Sequence, residues 1–146
     1  MKVSQHWVYV SRGQIIVPTQ ADTSSGWMDA EPVRLLNPDD VEALREVVLS
    51  KLRLGNPVRE GYFRDDFPTP VVLKYTEART WKSFSKSTVW VGWEVEPSRC
   101  TISYIADMSA AGVAGSEPQF LQEYPATVDE NAFAHAVVEH ILNNSR

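Results

Sequence analysis

His135 and Glu139 stand four residues apart in a segment whose apolar positions recur at helical spacing, so an imidazole and a carboxylate can share one face there. Such a pair could move a proton if a third group oriented it. His140 does not join it, because five residues on an ideal helix turn it about 140° away from His135. The two histidines are therefore not disposed as the pair of a helical zinc motif, in which they lie four apart. A solvated helix surface is the simpler reading of both. His6 opens an extended run and reads as structural. Cys100 follows Arg99, a cation that would favour a thiolate. No histidine is near it in sequence, and a small buried hydrophobe is the plainer account.

Other chemistry is missing at the level of motifs. There is no nucleophile elbow and no dinucleotide fingerprint. Residues 111–115 hold two glycines without a following Lys–Ser/Thr, which is not a phosphate loop. The carboxylates Asp39 and Asp40, and Asp65 and Asp66, occur as adjacent pairs, and neighbours rarely converge on one site. No cysteine–histidine cluster has metal-ligand spacing, and no cofactor is implied. A site assembled in space from His135, Glu139 or Cys100 is the enzymatic alternative.

Two features suit a binding surface. One is an aromatic set: Trp27, Tyr62, Phe63, Phe67, Trp81, Trp90 and Trp93. Most of these read as core, but Trp90 lies opposite the Val89/Val91/Trp93 face of its strand. Either that sheet face is also covered, or Trp90 is free to anchor a partner. The other is acidic surface: Asp39, Asp40, Glu42, Glu46, Glu60, Asp65 and Asp66. The candidate contact residues are accordingly Asp39, Asp40, Glu42, Glu60, Asp65, Asp66 and Trp90.

The elements that would position these residues follow from the pattern. Residues 7–17 read as a β-hairpin turning at Gly13, with Pro18 ending the second strand or placing it at an edge. A polar loop over 19–29 leads to a third strand over 30–36, marked as an edge by Pro32. Asn37 as cap and Pro38 at the first helical position open a helix over 38–54. Its stripe is Val41, Leu44, Val48 and Leu52, and Gly55 and Pro57 stop it. An irregular connection over 56–70 precedes a buried strand over 71–76 and a short helical turn over 77–84. Residues 87–95 and 100–106 form a second hairpin around Pro97. Residues 107–118 read as a mobile loop, and 119–125 has no clear period. Thr127 and Glu130 match a capping box for a helix over 128–143, with Phe133, Val137 and Ile141 on its apolar face.

The fold class is α+β: a largely antiparallel sheet of five to six strands with two main helices, 38–54 and 128–143, packed on it, both on one face. With 146 residues and 43% hydrophobic composition, one domain over 1–146 can bury a core without disulfides. A net charge of −5 argues against nucleic acid as the main ligand and suits a basic partner. A single cysteine points to a reducing compartment. No run approaches the ~20 apolar residues that cross a bilayer, and no signal peptide is recognisable, so the expected location is the cytoplasm.

Trp7-Val8-Tyr9-Val10, Ile16-Val17-Pro18-Thr19, Gly55-Asn56-Pro57 and Val72-Leu73-Lys74-Tyr75, with Trp81 and Phe84, together resemble small bacterial immunity proteins of contact-dependent growth inhibition and related toxin systems. The resemblance implies a cytosolic inhibitor that binds a cognate toxin domain encoded by a neighbouring gene. It further implies that the toxin is a nuclease and hence basic. It carries over no catalytic residue. A structural subunit of a larger assembly is the remaining reading.

Overall fold

The computed structural model describes residues 1–61, 69–108 and 118–145. The chain runs β1 (Ser4–Ser11), β2 (Gln14–Thr23), β3 (Gly26–Leu36), α1 (Val41–Leu54), a 3-10 helix (Val71–Tyr75), α2 (Trp81–Ser85), β4 (Thr88–Val95), β5 (Arg99–Ile105), β6 (Gln119–Pro125) and α3 (Glu130–Asn143). The strands form one six-stranded sheet in the order β3-β2-β1-β4-β5-β6. Every neighbouring pair is antiparallel. This is the expected α+β class.

Both long helices lie on one sheet face, as the apolar stripes require. Leu44, Val48 and Leu52 from α1 meet Phe133, Val137 and Ile141 from α3 above Val8, Val10, Val91, Trp93 and Ile102. All of these are buried. The opposite face is covered over part of its area. There Val72, Leu73 and Phe84 pack against Tyr9 and Ile16, with Trp7 and Trp90 alongside. That cover resolves the position of Trp90: it is half-buried, stacked 6.0 Å from Trp7. Its ring also lies over Gly92, where a Cβ would run into the indole.

Several local expectations change. Residues 19–29 are not a loop, because β2 and β3 continue through them as a long hairpin. The turn is closed by Thr23, whose hydroxyl accepts from Ser25 N–H at 3.1 Å and donates to the Gly26 carbonyl at 2.6 Å. Pro18 neither ends β2 nor marks an edge. Its missing N–H falls at a register shift between Val17 and Thr19. Residues 71–76 form the 3-10 helix, since a short apolar run has no periodicity to separate strand from helix. Residues 119–125 are the edge strand β6. The helix α1 begins at Val41: Asp40 folds back to accept from Asn37 N–H at 2.9 Å, so Asn37 is not the cap. In α3 the cap is Asp129, which accepts from Ala132 N–H at 3.0 Å, in place of Thr127. Glu130 instead pairs with Arg53 of α1. The expected loop over 107–118 falls largely on 109–117, outside the described residues.

The feature that positions the site is a fork. Arg12 and Gly13 both hold positive φ, as a two-residue hairpin turn requires. Yet β1 and β2 pair only through Tyr9–Ile16, Val10–Ile15 and Ser11–Gln14. Beyond Tyr9 the strands separate, although β1 stays paired with β4 along its whole length. Side chains close the gap. Asn56 accepts from Gln5 N–H at 2.9 Å and donates to the Gln5 carbonyl at 2.7 Å and the Gln20 carbonyl at 3.0 Å. Gln20 Oε1 accepts from Trp7 N–H at 3.1 Å. The segment after α1 then pairs with β2 directly: Asp22 N–H donates to Pro57, and Arg59 N–H to Asp22. Gly55, at φ 72°, makes the reversal from α1 into this segment.

Removing the Asn56 amide leaves three backbone groups without partners, each costing ~1–3 kcal/mol if it stays dry. Asn56→Ala is therefore expected to lower stability by about 3 kcal/mol in urea denaturation. A loss below about 0.5 kcal/mol would show that the fork holds without this residue.

Candidate functional site

The fork joins two hollows on opposite sides of the sheet. On the helix side, a cavity of about 620 Å³ is bounded by β2, β3 and the second half of α1, and includes His6, Lys51 and Asn56. On the other side, a cleft of about 910 Å³ lies between β3 and the 3-10 helix with α2, and includes Trp27, Asp29, Glu60 and Trp81. A polar chain links them. His6 Nδ1 lies 3.5 Å from Asn56 Nδ2, and Asn56 bonds to the Gln20 backbone. Gln20 Nε2 donates to Asp29 Oδ1 at 3.0 Å, and the Tyr9 hydroxyl donates to Asp29 Oδ2 at 2.6 Å. Trp7 Nε1 in turn donates to the Tyr9 oxygen at 3.1 Å.

Burial sets the electrostatics of this chain. Desolvation raises the Asp29 carboxyl, while the hydrogen bonds from Tyr9, Gln20 and Trp7 and the charge of Lys51 pull the other way. Tyr9 is pushed well above the usual phenol range, first by burial and then by the adjacent Asp29 charge. Lys51 is lowered to about 8 by burial, opposed by Asp29. Its ammonium donates to the Pro18 carbonyl at 2.9 Å, on the helix side. His6 is lowered to about 3 by burial and then by Lys51, with the Lys51 carbonyl working weakly against both. Tyr9 therefore remains a donor and His6 neutral at ordinary pH. The assembly holds a carboxyl group, fixed by Tyr9, Gln20 and Trp7, at the floor of an aromatic-walled cleft. Such a floor receives donors and cations.

The candidates for catalysis do not converge. Cys100 is buried in the core under the helices, and burial raises its thiol. His135 and Glu139 do share a face of α3, 3.7 Å apart, but both are exposed. Among the described residues no three His, Cys, Asp or Glu side chains group as a metal site. No helix among them is long and apolar enough to cross a membrane.

The candidate contact residues divide. Asp39, Asp40 and Glu42 are exposed at the start of α1, with Glu42 paired to Arg45 at 3.0 Å. Glu60 lines the cleft beyond the far end of that helix, whose 14 residues span about 21 Å. Trp90 lies on the cleft's side of the sheet, stacked on Trp7. Asp65 and Asp66 fall outside the described residues, as do Tyr62, Phe63, Phe67 and the glycines of 111–115. Sequence reasoning missed Tyr9, Gln20, Asp29, Lys51 and Asn56. Only Tyr9 and Asn56 fell within stretches that the resemblance marked, Trp7-Val8-Tyr9-Val10 and Gly55-Asn56-Pro57, and neither was read as part of a site.

Solved structures share this fold along the whole chain. A chain of the CdiA-CT/CdiI toxin and immunity complex from Yersinia pseudotuberculosis matches with a TM-score of 0.55 at 14% identity, covering 100% of this chain and 99% of that one. The two have one fold. A protein of unknown function from Neisseria meningitidis matches with a TM-score of 0.54 at 14% identity, over 100% and 98% of the two chains. Identity this low makes both likenesses ones of fold alone. No protein-family model and no curated protein sequence matches the chain.

The buried His6 sets a pH dependence. The unfolded chain takes up this proton near pH 6.5, the folded chain only near 3. Below 6.5 the unfolded state therefore binds more protons, and stability falls as pH drops from 6.5 towards 3. The slope should approach about 1.4 kcal/mol per pH unit and flatten in His6→Gln, followed by urea midpoints at each pH. Equal slopes for the two proteins would contradict a neutral, buried His6.

Proposed function

We propose that this chain is an immunity protein, which binds a cognate toxin domain and neutralises it by covering its active site or substrate groove. The observation that carries the reading is the match, over the full length of both chains, to a chain of a toxin and immunity complex. Charge supports the same partner class. The chain carries −5, and a basic nuclease domain encoded by a neighbouring gene would be drawn to it. The contact residues on this reading are Asp39, Asp40, Glu42, Glu60, Asp65, Asp66 and Trp90, and the place of action is the cytoplasm.

Inhibition of this kind needs surface and no reaction. The placement of the exposed His135–Glu139 pair on α3, away from the buried Cys100, is compatible with it.

Co-expression with the toxin domain of the neighbouring gene should restore growth, and the two proteins should co-elute as a stable complex. Reversing Asp39, Asp40 and Glu42 together to lysine should slow association at least about tenfold at low salt, with the difference shrinking as salt is raised. Neither complex nor protection with that domain would defeat the reading.

A further inference from the structure

Trp27 and Trp81 are large apolar side chains left open to solvent, at 42% and 37% exposure. They come from different walls of one cleft, Trp27 from β3 and Trp81 from α2. Asp29 lies two residues beyond Trp27 on β3 and lines the same cleft. Tyr9 ties it to the opposite wall: its ring meets Trp81 edge-on at 5.9 Å, and its hydroxyl holds Asp29. Two indoles and a fixed carboxylate therefore face one space.

The state of the carboxylate follows from its partners. Tyr9 and Gln20 both donate to it, one to each oxygen. These bonds and a further one from Trp7 favour the ionised form, while burial works against it; an ionised carboxylate offers about four acceptor positions, so at least one stays open to a further donor. The charge around it tilts the same way. Among the described residues that line the cleft, Asp29, Glu31 and Glu60 stand against Arg59 and Lys74. Lys51, the cation that acts on Asp29 through the fork, is committed to Pro18 on the far side of the sheet.

We infer that this cleft receives an arginine side chain of a protein partner, its guanidinium held against Trp27 and Trp81 and donating to Asp29. An apolar group seated here would strip water from Asp29 without giving it a partner, which is costly. A lysine ammonium would satisfy the charge. The guanidinium is planar and more weakly hydrated, so it also stacks on indole rings and offers paired N–H groups to a carboxylate. Tryptophan and arginine are both enriched among the residues that carry most of the binding energy of protein interfaces. That the arginine belongs to a toxin rests on the function proposed above; the preference of the cleft for a guanidinium does not.

The test uses the whole chain and three short peptides, acetyl-Gly-Arg-Gly-amide and its lysine and citrulline counterparts, followed by NMR of the indole N–H signals. The arginine peptide should shift Trp27 and Trp81 saturably, with an affinity of roughly millimolar order for so small a probe. Citrulline, the neutral isostere, should bind at least about tenfold more weakly. Asp29→Asn should abolish the difference between arginine and citrulline. Trp27→Leu, at an exposed position that leaves the network intact, should weaken the arginine peptide at least about fivefold. Citrulline binding as well as arginine, or shifts that spare both indoles, would overturn the inference. Lysine binding as well as arginine would overturn the guanidinium assignment. Protection from a toxin alongside failure with the peptides would retain the immunity reading and discard this one.

Discussion

Where β1 and β2 part, the backbone of a central strand must find partners that are not a strand. Gln5 and Trp7 sit on β1 between a fully paired neighbour, β4, and a strand that has swung away. Pro18 lies on β2 two residues past its last pair with β1, Tyr9–Ile16, and brings no N–H with which that ladder could continue. Two side-chain amides imitate the missing peptides, Gln20 from the departing strand and Asn56 from the turn after α1. Buried backbone groups are almost always met. The route of the chain out of α1 is therefore set by the need to deliver Asn56 to this place.

The same arrangement carries polar groups through the sheet. The pleat sends alternate side chains to opposite faces of a sheet; here His6 and Lys51 on the helix side are joined through Asn56 and Gln20 to Asp29 and Tyr9 on the other. Burial depresses the two bases and raises the two acids, and the opposite charges of Lys51 and Asp29 each temper the other. The network is costly to desolvate, and almost every member has its partner, so it rigidifies the cleft floor. The cleft walls come from elements far apart in sequence, so the floor is also what holds them in one frame.

On the proposed reading, in which the protein acts through its surface, this division of labour has a physical logic. The core under α1 and α3 supplies the stability, with Phe133, Trp93 and Leu44 fully enclosed. The opposite face is covered over only part of its area, and it leaves two indoles exposed beside a partly buried carboxylate. Acidic residues stand on both sides of the molecule, at the start of α1 and beside the cleft. On the proposed reading they would guide a basic partner in from a distance, with the cleft as a short-range anchor.

Much of the architecture was written in local patterns. The stripes of α1 and α3, the hairpin of β4 and β5, and the placing of both helices on one face follow from periodicities of 3.6 and 2 read over a dozen residues. Those patterns failed where local order is broken. In β6, Leu121 and Tyr124 both reach the core although three residues apart, since a bulge opposite Ile102 and Ser103 interrupts the alternation. The 3-10 helix at Val71–Tyr75 is too short to show a period. The site was illegible for another reason: its contacts cross long separations, 51 residues between Gln5 and Asn56 and 20 between Tyr9 and Asp29. Sequence alone determined which faces are apolar and hence the class of fold. Only the tertiary structure decided that β1 and β2 separate, because that choice is made by hydrogen bonds between distant residues, which no local spacing encodes.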